Sequence, residues 1–318
     1  MKPSLVSKTV FISVVVPAHN EVDNLKLFCQ KTFPIIRKIT SQFEVIIIDD
    51  GSTDKSWSLL KKLKKNYSKL KAIRLRRQSG QTACLMVGFS HAQGEIIVTI
   101  DADLQQDPAD ITRLINALGQ KTDVVSGYRD LRSRPFANRF ISRVEYFLVR
   151  LLLGIDVKDS GVSPNVYRRE VLQDINLFGE MHRYLVPILI WRGFKVKTIS
   201  ITIHKRHAGK SKYKTTKAIK GFLDLLIVKF WQDYSTRPIH FFGTIGLLLI
   251  AIGTILGATE AIKKLVFNIS IFDSTIPLLA AFLAIVGIQF LILGILADIM
   301  IRTYYKDKSE HKIRSVIK

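Results

Sequence analysis

Acidic residues are scarce in this chain of 318 residues: 26 Asp and Glu stand against 48 Lys and Arg, a formal net charge of +22. Such a balance implies an anionic partner, whether nucleic acid, an acidic membrane surface or a phosphorylated substrate. No nucleic-acid-binding motif occurs, and two long apolar runs near the C-terminus favour membrane and phosphate over nucleic acid. Cysteine is nearly absent. Cys29 and Cys84 are expected as free buried thiols, as in a reducing cytosol. There is no Gly-x-Gly-x-x-Gly and no Walker lysine motif, which weakens the dehydrogenase and P-loop readings. The N-terminus, Met1-Lys2-Pro3-Ser4, lacks an apolar signal region, so nothing in it is expected to carry the soluble portion across a membrane. Internal repeats and long low-complexity tracts are also missing.

What is present is a set of apolar strands that end in polar tips. Glu95-Ile96-Ile97-Val98-Thr99-Ile100 reads as a buried strand and runs into Asp101-Ala102-Asp103. Residues i and i+2 of a strand point the same way, and two like charges side by side call for a hard divalent cation. Mg2+ or Mn2+ is usually held by one or two carboxylates plus phosphate oxygens, so the expected ligand is a metal-bound diphosphate. Ile12 to Glu21 and Phe43 to Asp54 repeat the design, the second through Asp49-Asp50-Gly51-Ser52-Thr53-Asp54. Gly51 permits a tight turn there, and Ser52, Thr53 or Asp54 caps a helix starting near Trp57. Pro108 suits the start of the helix after Asp107. Three strands ending in carboxylates, each followed by a helical pattern, predict a doubly wound α/β nucleotide-binding sheet with its polar groups along one edge.

At these residues the chain resembles the inverting family 2 glycosyltransferases of the GT-A fold, in the branch of dolichol-phosphate mannosyltransferase and bacterial undecaprenyl-phosphate sugar transferases. The resemblance rests on an ordered set: Val15 to Glu21, Ile48 to Asp54, Ser79-Gly80-Gln81-Thr82-Ala83, Asp101 to Gln105, Gly127-Tyr128-Arg129, Tyr167-Arg168-Arg169-Glu170, Gly209 to Tyr213, then two hydrophobic spans. It implies a GT-A (Rossmann-like) nucleotide-sugar-binding domain followed by interfacial helices and a two-helix transmembrane hairpin. It also implies transfer of one sugar from a UDP- or GDP-linked donor to a polyprenyl phosphate, undecaprenyl or dolichyl. The Gln-x-x-Arg-Trp signature of processive synthases is missing. Alternatives are a same-fold transferase acting on another membrane glycolipid and a non-catalytic membrane-anchored scaffold. Homo-oligomerisation stays open.

The resemblance assigns Pro17, Asn20, Glu21, Asp49, Asp50, Gln81 and Asp101 to the donor pocket. Asp49 or Asp50 would accept from base or ribose, with helix capping the competing role for Asp50. Asp101, Asp103 and Gln105 form the implied metal site for Mg2+ or Mn2+. Arg129, Arg139, Ser142 and Arg143 are the implied binders of the lipid phosphate, since arginine forks phosphate oxygens bidentately. Arg206 and Lys212 lie on a stretch that closes over the site in similar enzymes, with Gly209 as a hinge. Asp159 corresponds to the acidic position near the reacting centre, as base or as an orienting group. Catalysis is thus expected from Asp103, Asp159 and Arg129. The chain departs from the family at His19, where an aromatic is common, and at Val162, where cysteine is frequent.

The expected layout is a cytoplasmic catalytic domain over 1–213, an amphipathic juxtamembrane helix over 214–237, membrane helices at 239–258 and 276–301, and a basic tail at 302–318. About 20 residues at a rise of roughly 1.5 Å span a hydrocarbon core of about 30 Å. The basic tail and N-terminal domain predict both termini on the cytoplasmic side of the inner membrane. Ile219, Phe222, Leu223, Leu226, Ile227 and Phe230 recur at helical spacing, which with nearby lysines and Trp231 predicts a helix lying at the membrane surface.

Overall fold

The computed structural model describes residues 10–129, 136–155, 163–204, 216–234, 237–267 and 274–305. They fall into two compact units, Met1–Lys229 and Phe230–Lys318.

The first unit is built on seven strands: β1 (Ile12–Ala18), β2 (Phe43–Asp49), β3 (Leu70–Arg74), β4 (Ile96–Thr99), β5 (Val124–Tyr128), β6 (Asn165–Arg168) and β7 (Val196–Ser200). Their order in the sheet is β3-β2-β1-β4-β6-β5-β7. β1 pairs in parallel with both β2 and β4. The chain therefore steps outward through β2 and β3, then returns to β4 on the other side of β1. That reversal is the topological switch point where open α/β sheets bind ligands, outside the carboxyl ends of the strands. β6 runs antiparallel between β4 and β5.

Helices cover both faces, which is why β2 is buried at every position and reads as an unbroken apolar run. Alternate strand residues feed two cores. Val14, Val16, Val45 and Ile47 pack with Leu25 and Phe28 of α1 (Val22–Ile39), Leu60 of α2 (Ser56–Asn66) and Ile111 of α4 (Asp110–Ala117). Val15, Ile46, Ile48 and Ile97 pack with Leu85 and Phe89 of α3 (Gln81–His91). That second core also takes Val149 and Leu153 of α5 (Phe136–Leu153), Leu189 of α6 (Leu185–Trp191), and Leu225 and Val228 of α7 (Thr216–Tyr234).

Two of these helices are apolar on the outside as well. On α7, Phe222, Leu223, Leu226 and Ile227 are exposed, while Leu225 and Val228 hold the helix to the core. The outward residues are those whose spacing marks a surface-seeking stripe. On α5, Val144, Phe147 and Leu151 are exposed at 41, 60 and 64 %, a second outward apolar face. Cys29 and Cys84 are both free and buried, and burial pushes each thiol up to about 12.

The second unit contains α8 (Ile239–Phe267) and α9 (Ile276–Tyr305). Ile239–Phe267 and Ile276–Ile301 are long and apolar enough to cross a membrane. α8 runs nine residues past the expected end at Ala258, carrying Glu260, which is buried and held by Lys263 at 2.7 Å. The two helices pack antiparallel through small residues. A Cβ at Gly246 would stand 2.7 Å from the Gly287 carbonyl oxygen, and one at Gly253 equally close to that of Ala280. Small residues let two helix backbones approach where lipid offers no hydrophobic drive to pair them.

Candidate active site at the edge of the parallel sheet

The loops after β1 and β2 are laced together. Asn20 stands at φ 56, and its side-chain oxygen accepts from the N–H groups of Thr53 and Asp54 at 2.9 and 3.3 Å. Its own N–H donates to Ser52 Oγ at 2.9 Å. The Glu21 N–H donates to Ser56 Oγ, and the Glu21 carboxylate accepts from Asn24 Nδ2 at 2.6 Å. Asp54 holds the first N–H of both neighbouring helices, Ser56 at 2.8 Å and Val22 at 3.4 Å. Among the three expected capping candidates, then, Asp54 serves α2. His19 Nδ1 donates to the Asp50 carbonyl at 2.8 Å. Pro17 is a half-buried β1 residue in register with Ile48.

Asp49 and Asp50 end β2 with different partners. Asp49, fully buried, pairs with Arg74 Nε at 3.1 Å and accepts from the Ser52 N–H at 3.3 Å. Asp50 accepts from the N–H groups of Ser79 and Gly80 at 2.6 and 3.0 Å. It thus holds the segment leading into α3, and it does not cap α2. Gly51 makes that possible. At φ +61, a Cβ there would meet the Arg77 carbonyl carbon at 2.6 Å, so only glycine lets the 77–80 backbone cross so closely.

Asp101 and Asp103 follow β4 at the switch point. Gln81 Nε2, at the first position of α3, donates to Asp101 Oδ1 at 3.0 Å, and Gln106 Nε2 donates to Oδ2 at 3.2 Å. Burial first, then the charge of Asp103, push the Asp101 carboxyl up to about 6 against the opposing pull of Ser163, Gln106 and Arg129. Asp103 is buried and accepts from the Gln105 N–H at 3.1 Å. Gln106 Oε1 is buried beside them with no hydrogen-bond partner among the described residues. A carboxylate pair under mutual repulsion beside an orphaned amide oxygen fits a hard cation such as Mg2+ or Mn2+. Among the described residues no group of three or more His, Cys, Asp or Glu could hold a metal. Two carboxylates completed by amide and phosphate oxygens are the donor set that remains, and Mg2+ is commonly held that way.

The far side of the site comes from β5, β6 and β7. Arg129 follows β5 and its charge acts on Asp101. Gly127 lies against the loop before β6, where a Cβ would meet the Pro164 carbonyl oxygen at 2.7 Å. After β7, His204 donates its N–H to the Gln105 carbonyl at 2.7 Å, and its Nε2 lies 3.3 Å from Asp107 Oδ2. Arg139, Ser142 and Arg143 are on α5 at positions i, i+3 and i+4, hence on one face. Arg143 is exposed, and the side chains of Arg139 and Ser142 lie outside the described residues. Asp159, Val162, Arg206, Gly209 and Lys212 also lie outside them. Asp101, Asp103, Gln81 and Arg129 are thus brought to one place. Gln106 and Ser163 join them unannounced. Gln106 directly follows a residue the pattern marked, and Ser163 directly follows Val162, where the chain departs from the family pattern.

An open sheet with cation-ready oxygens at its switch point defines a nucleotide-binding α/β fold. Residues 13–175 match the family Glycosyl transferase family 2, and the chain belongs to it. It is 31 % identical over 301 residues to the dodecaprenyl-phosphate galacturonate synthase of Rhizobium johnstonii, covering 93 % of this chain and 89 % of the relative. It is 30 % identical over 297 residues to the undecaprenyl-phosphate 4-deoxy-4-formamido-L-arabinose transferase of Photorhabdus laumondii, covering 92 % and 89 %. Its fold is also similar to glucosyl-3-phosphoglycerate synthase from Mycobacterium tuberculosis, crystallised with Mn2+, UDP and glucosyl-3-phosphoglycerate. That similarity has a TM-score of 0.54 at 17 % identity and covers 70 % of this chain and 80 % of the other.

Proposed function

We propose that this glycosyltransferase moves one sugar from a nucleotide-sugar to a polyprenyl phosphate at a membrane surface, with inversion at the anomeric carbon. The observation that carries the reading is the grouping of Asp101, Asp103 and Arg129 at the switch point, in a chain that also has two membrane-length helices. The names of the relatives over nearly the full length support the lipid-phosphate acceptor.

In this reading Asp101, Asp103 and an amide oxygen of Gln105 or Gln106 hold Mg2+ or Mn2+. Bound there, the ion would neutralise charge on the departing nucleoside diphosphate. The Asn20 and Asp50 contacts keep the β1, β2 and α3 loops in a fixed arrangement around the nucleotide, which lowers the ordering cost of binding. Arg129 orients the acceptor phosphate. A phosphate monoester is already largely ionised near neutral pH, so it needs little help from a base, and Asp159 serves to orient acceptor or sugar. Arg206 and Lys212 add positive charge near the diphosphate. Between UDP- and GDP-linked donors and between undecaprenyl and dolichyl carriers, we favour a UDP-linked donor and undecaprenyl phosphate, the carrier in the name of a bacterial relative.

The decisive assay combines purified full-length protein, Mg2+ or Mn2+ and polyprenyl phosphate with a panel of nucleotide sugars, with mass detection of the lipid. A polyprenyl-phosphate sugar formed from one donor is expected. Product only on a glycolipid hydroxyl would select the alternative acceptor class, and no product or donor binding at all would leave the scaffold reading.

The proposed layout keeps a catalytic domain at 1–213, a surface helix at 214–237 and a basic tail at 302–318 on the cytoplasmic side, with about 15 residues near Asn268 outside, because cationic flanks are retained inside. Both native thiols are buried, so single introduced cysteines can be read against a low background. An impermeant maleimide on intact cells should label Asn268→Cys and spare Lys318→Cys. The reverse pattern would overturn the orientation.

A further inference from the structure

Thr82 is buried one residue after Gln81, and its hydroxyl is fully committed. It donates to the Gly179 carbonyl at 2.7 Å, lies 2.8 Å from His182 Nδ1, and accepts from the His182 N–H at 3.4 Å. With the hydroxyl proton directed at Gly179, His182 Nδ1 must be the donor in that contact. The turn that Thr82 grips is held from its other side by α7. The Glu180 N–H donates to Asp224 Oδ2 at 3.2 Å. Gly179, at φ +59, leaves room for that carboxylate, since a Cβ there would stand 3.2 Å from Asp224 Oδ1. An unbroken series of contacts therefore runs from Asp224 through the 179–182 turn to Thr82, then Gln81, then Asp101.

α7 is the helix with the exposed stripe of Phe222, Leu223, Leu226 and Ile227, and the next helix in the sequence is membrane-length α8. We infer that Asp224 and Thr82 are positioning residues that transmit the seat of α7 to Gln81 and so set the orientation of Asp101. The inference rests on the proposed cation site. Its physical content is a coupling: whatever shifts α7 changes cation affinity, and cation binding in turn steadies the 179–182 turn by the same free energy. A purely structural role for Asp224 would stabilise the fold without this transmission.

The test uses full-length protein in lipid nanodiscs, with Mn2+ alone as the probe. Free Mn2+ is followed by electron paramagnetic resonance, with melting temperature and hydrogen exchange of the Gln81–Leu85 segment in parallel. Groups that orient metal ligands typically change affinity by about 10- to 100-fold. Thr82→Val should weaken Mn2+ binding by about tenfold and Thr82→Ser should restore it. Asp224→Asn should weaken binding less, by roughly threefold, and should quicken exchange over Gln81–Leu85. In the double variant the loss should equal that of Thr82→Val alone, because residues on one path are non-additive. If Asp224→Asn lowers the melting temperature but alters neither Mn2+ affinity nor exchange over Gln81–Leu85, or if the two losses multiply, the inference is overturned. If the unmutated protein binds no Mn2+ while Asp224→Asn still quickens that exchange, the relay stands and the cation site falls.

Discussion

Replacing Asp103 with asparagine should cut turnover by roughly a hundred- to thousandfold, the range seen when one preorganised electrostatic contact to a transition state is lost. The side chain is buried in the turn after β4, and its Oδ1 accepts from the Gln105 N–H. An asparagine keeps that acceptor, so the melting temperature should hardly change. The substitution also removes the charge that, after burial, does most to push Asp101 up. Asp101 should then titrate below about 6 in the variant. In the parent protein, protons compete with Mn2+ for Asp101 below pH about 6, so affinity should drop by about tenfold per pH unit there. The stability sign is the opposite of the usual carboxylate. A raised carboxyl contributes stability that is complete below its unfolded value and lost as pH rises through about 6. Metal-free protein should therefore lose stability across that interval, and Mn2+ should return it. Calorimetric titration across pH with a kinetic assay of the variant tests both. Near-normal turnover, or full activity in excess chelator, would refute the metal assignment.

Arg129→Lys should weaken use of polyprenyl phosphate by about ten- to a hundredfold, and Arg129→Ala by more, with donor affinity nearly constant. Lysine keeps the charge but loses the two-pronged geometry, and a charge-assisted hydrogen bond is worth roughly 1.5–3 kcal/mol. Arg129 also acts on Asp101, which gives the opposite outcome a definite meaning. If titration of the nucleotide sugar moves and titration of the lipid does not, Arg129 belongs to the diphosphate and the acceptor model is wrong.

The nucleotide half of the fold was legible because its strands are buried on both faces. Ile12–Ala18, Phe43–Asp49 and Ile96–Thr99 appear as apolar runs, and their carboxylates fall where the sheet reverses. The rest depends on contacts that periodicity does not encode. Asp50 looked able to cap the following helix, yet its partners are Ser79 and Gly80, about 30 positions away. Thr82 and Gly179 are 97 positions apart. Gln106 and Gln105 are alike in type, and only the fold turns the Gln106 amide onto Asp101. On α5, Val144, Phe147 and Leu151 form an outward stripe that is defined only once the inward positions Val149 and Leu153 are known.

The reversed strand β6 separates two inheritances within one sheet. Because β6 runs against β4 and β5, the residues that enter it, Ser163 to Asn165, arrive at the same edge where the parallel strands leave. Ser126 Oγ meets Asn165 Oδ1 at 2.7 Å there. The long excursion from Arg129 to Ser163 thus begins and ends at the reacting edge, and both its ends are pinned. The loops of β1 and β2 are hydrogen-bonded to each other and to Ser79 and Gly80, just before α3. On the proposed assignment of Arg129 and Asp159 to the acceptor, the excursion can be lengthened or recharged without breaking the bonds between those loops, so the choice of acceptor and the hold on the nucleotide are separable.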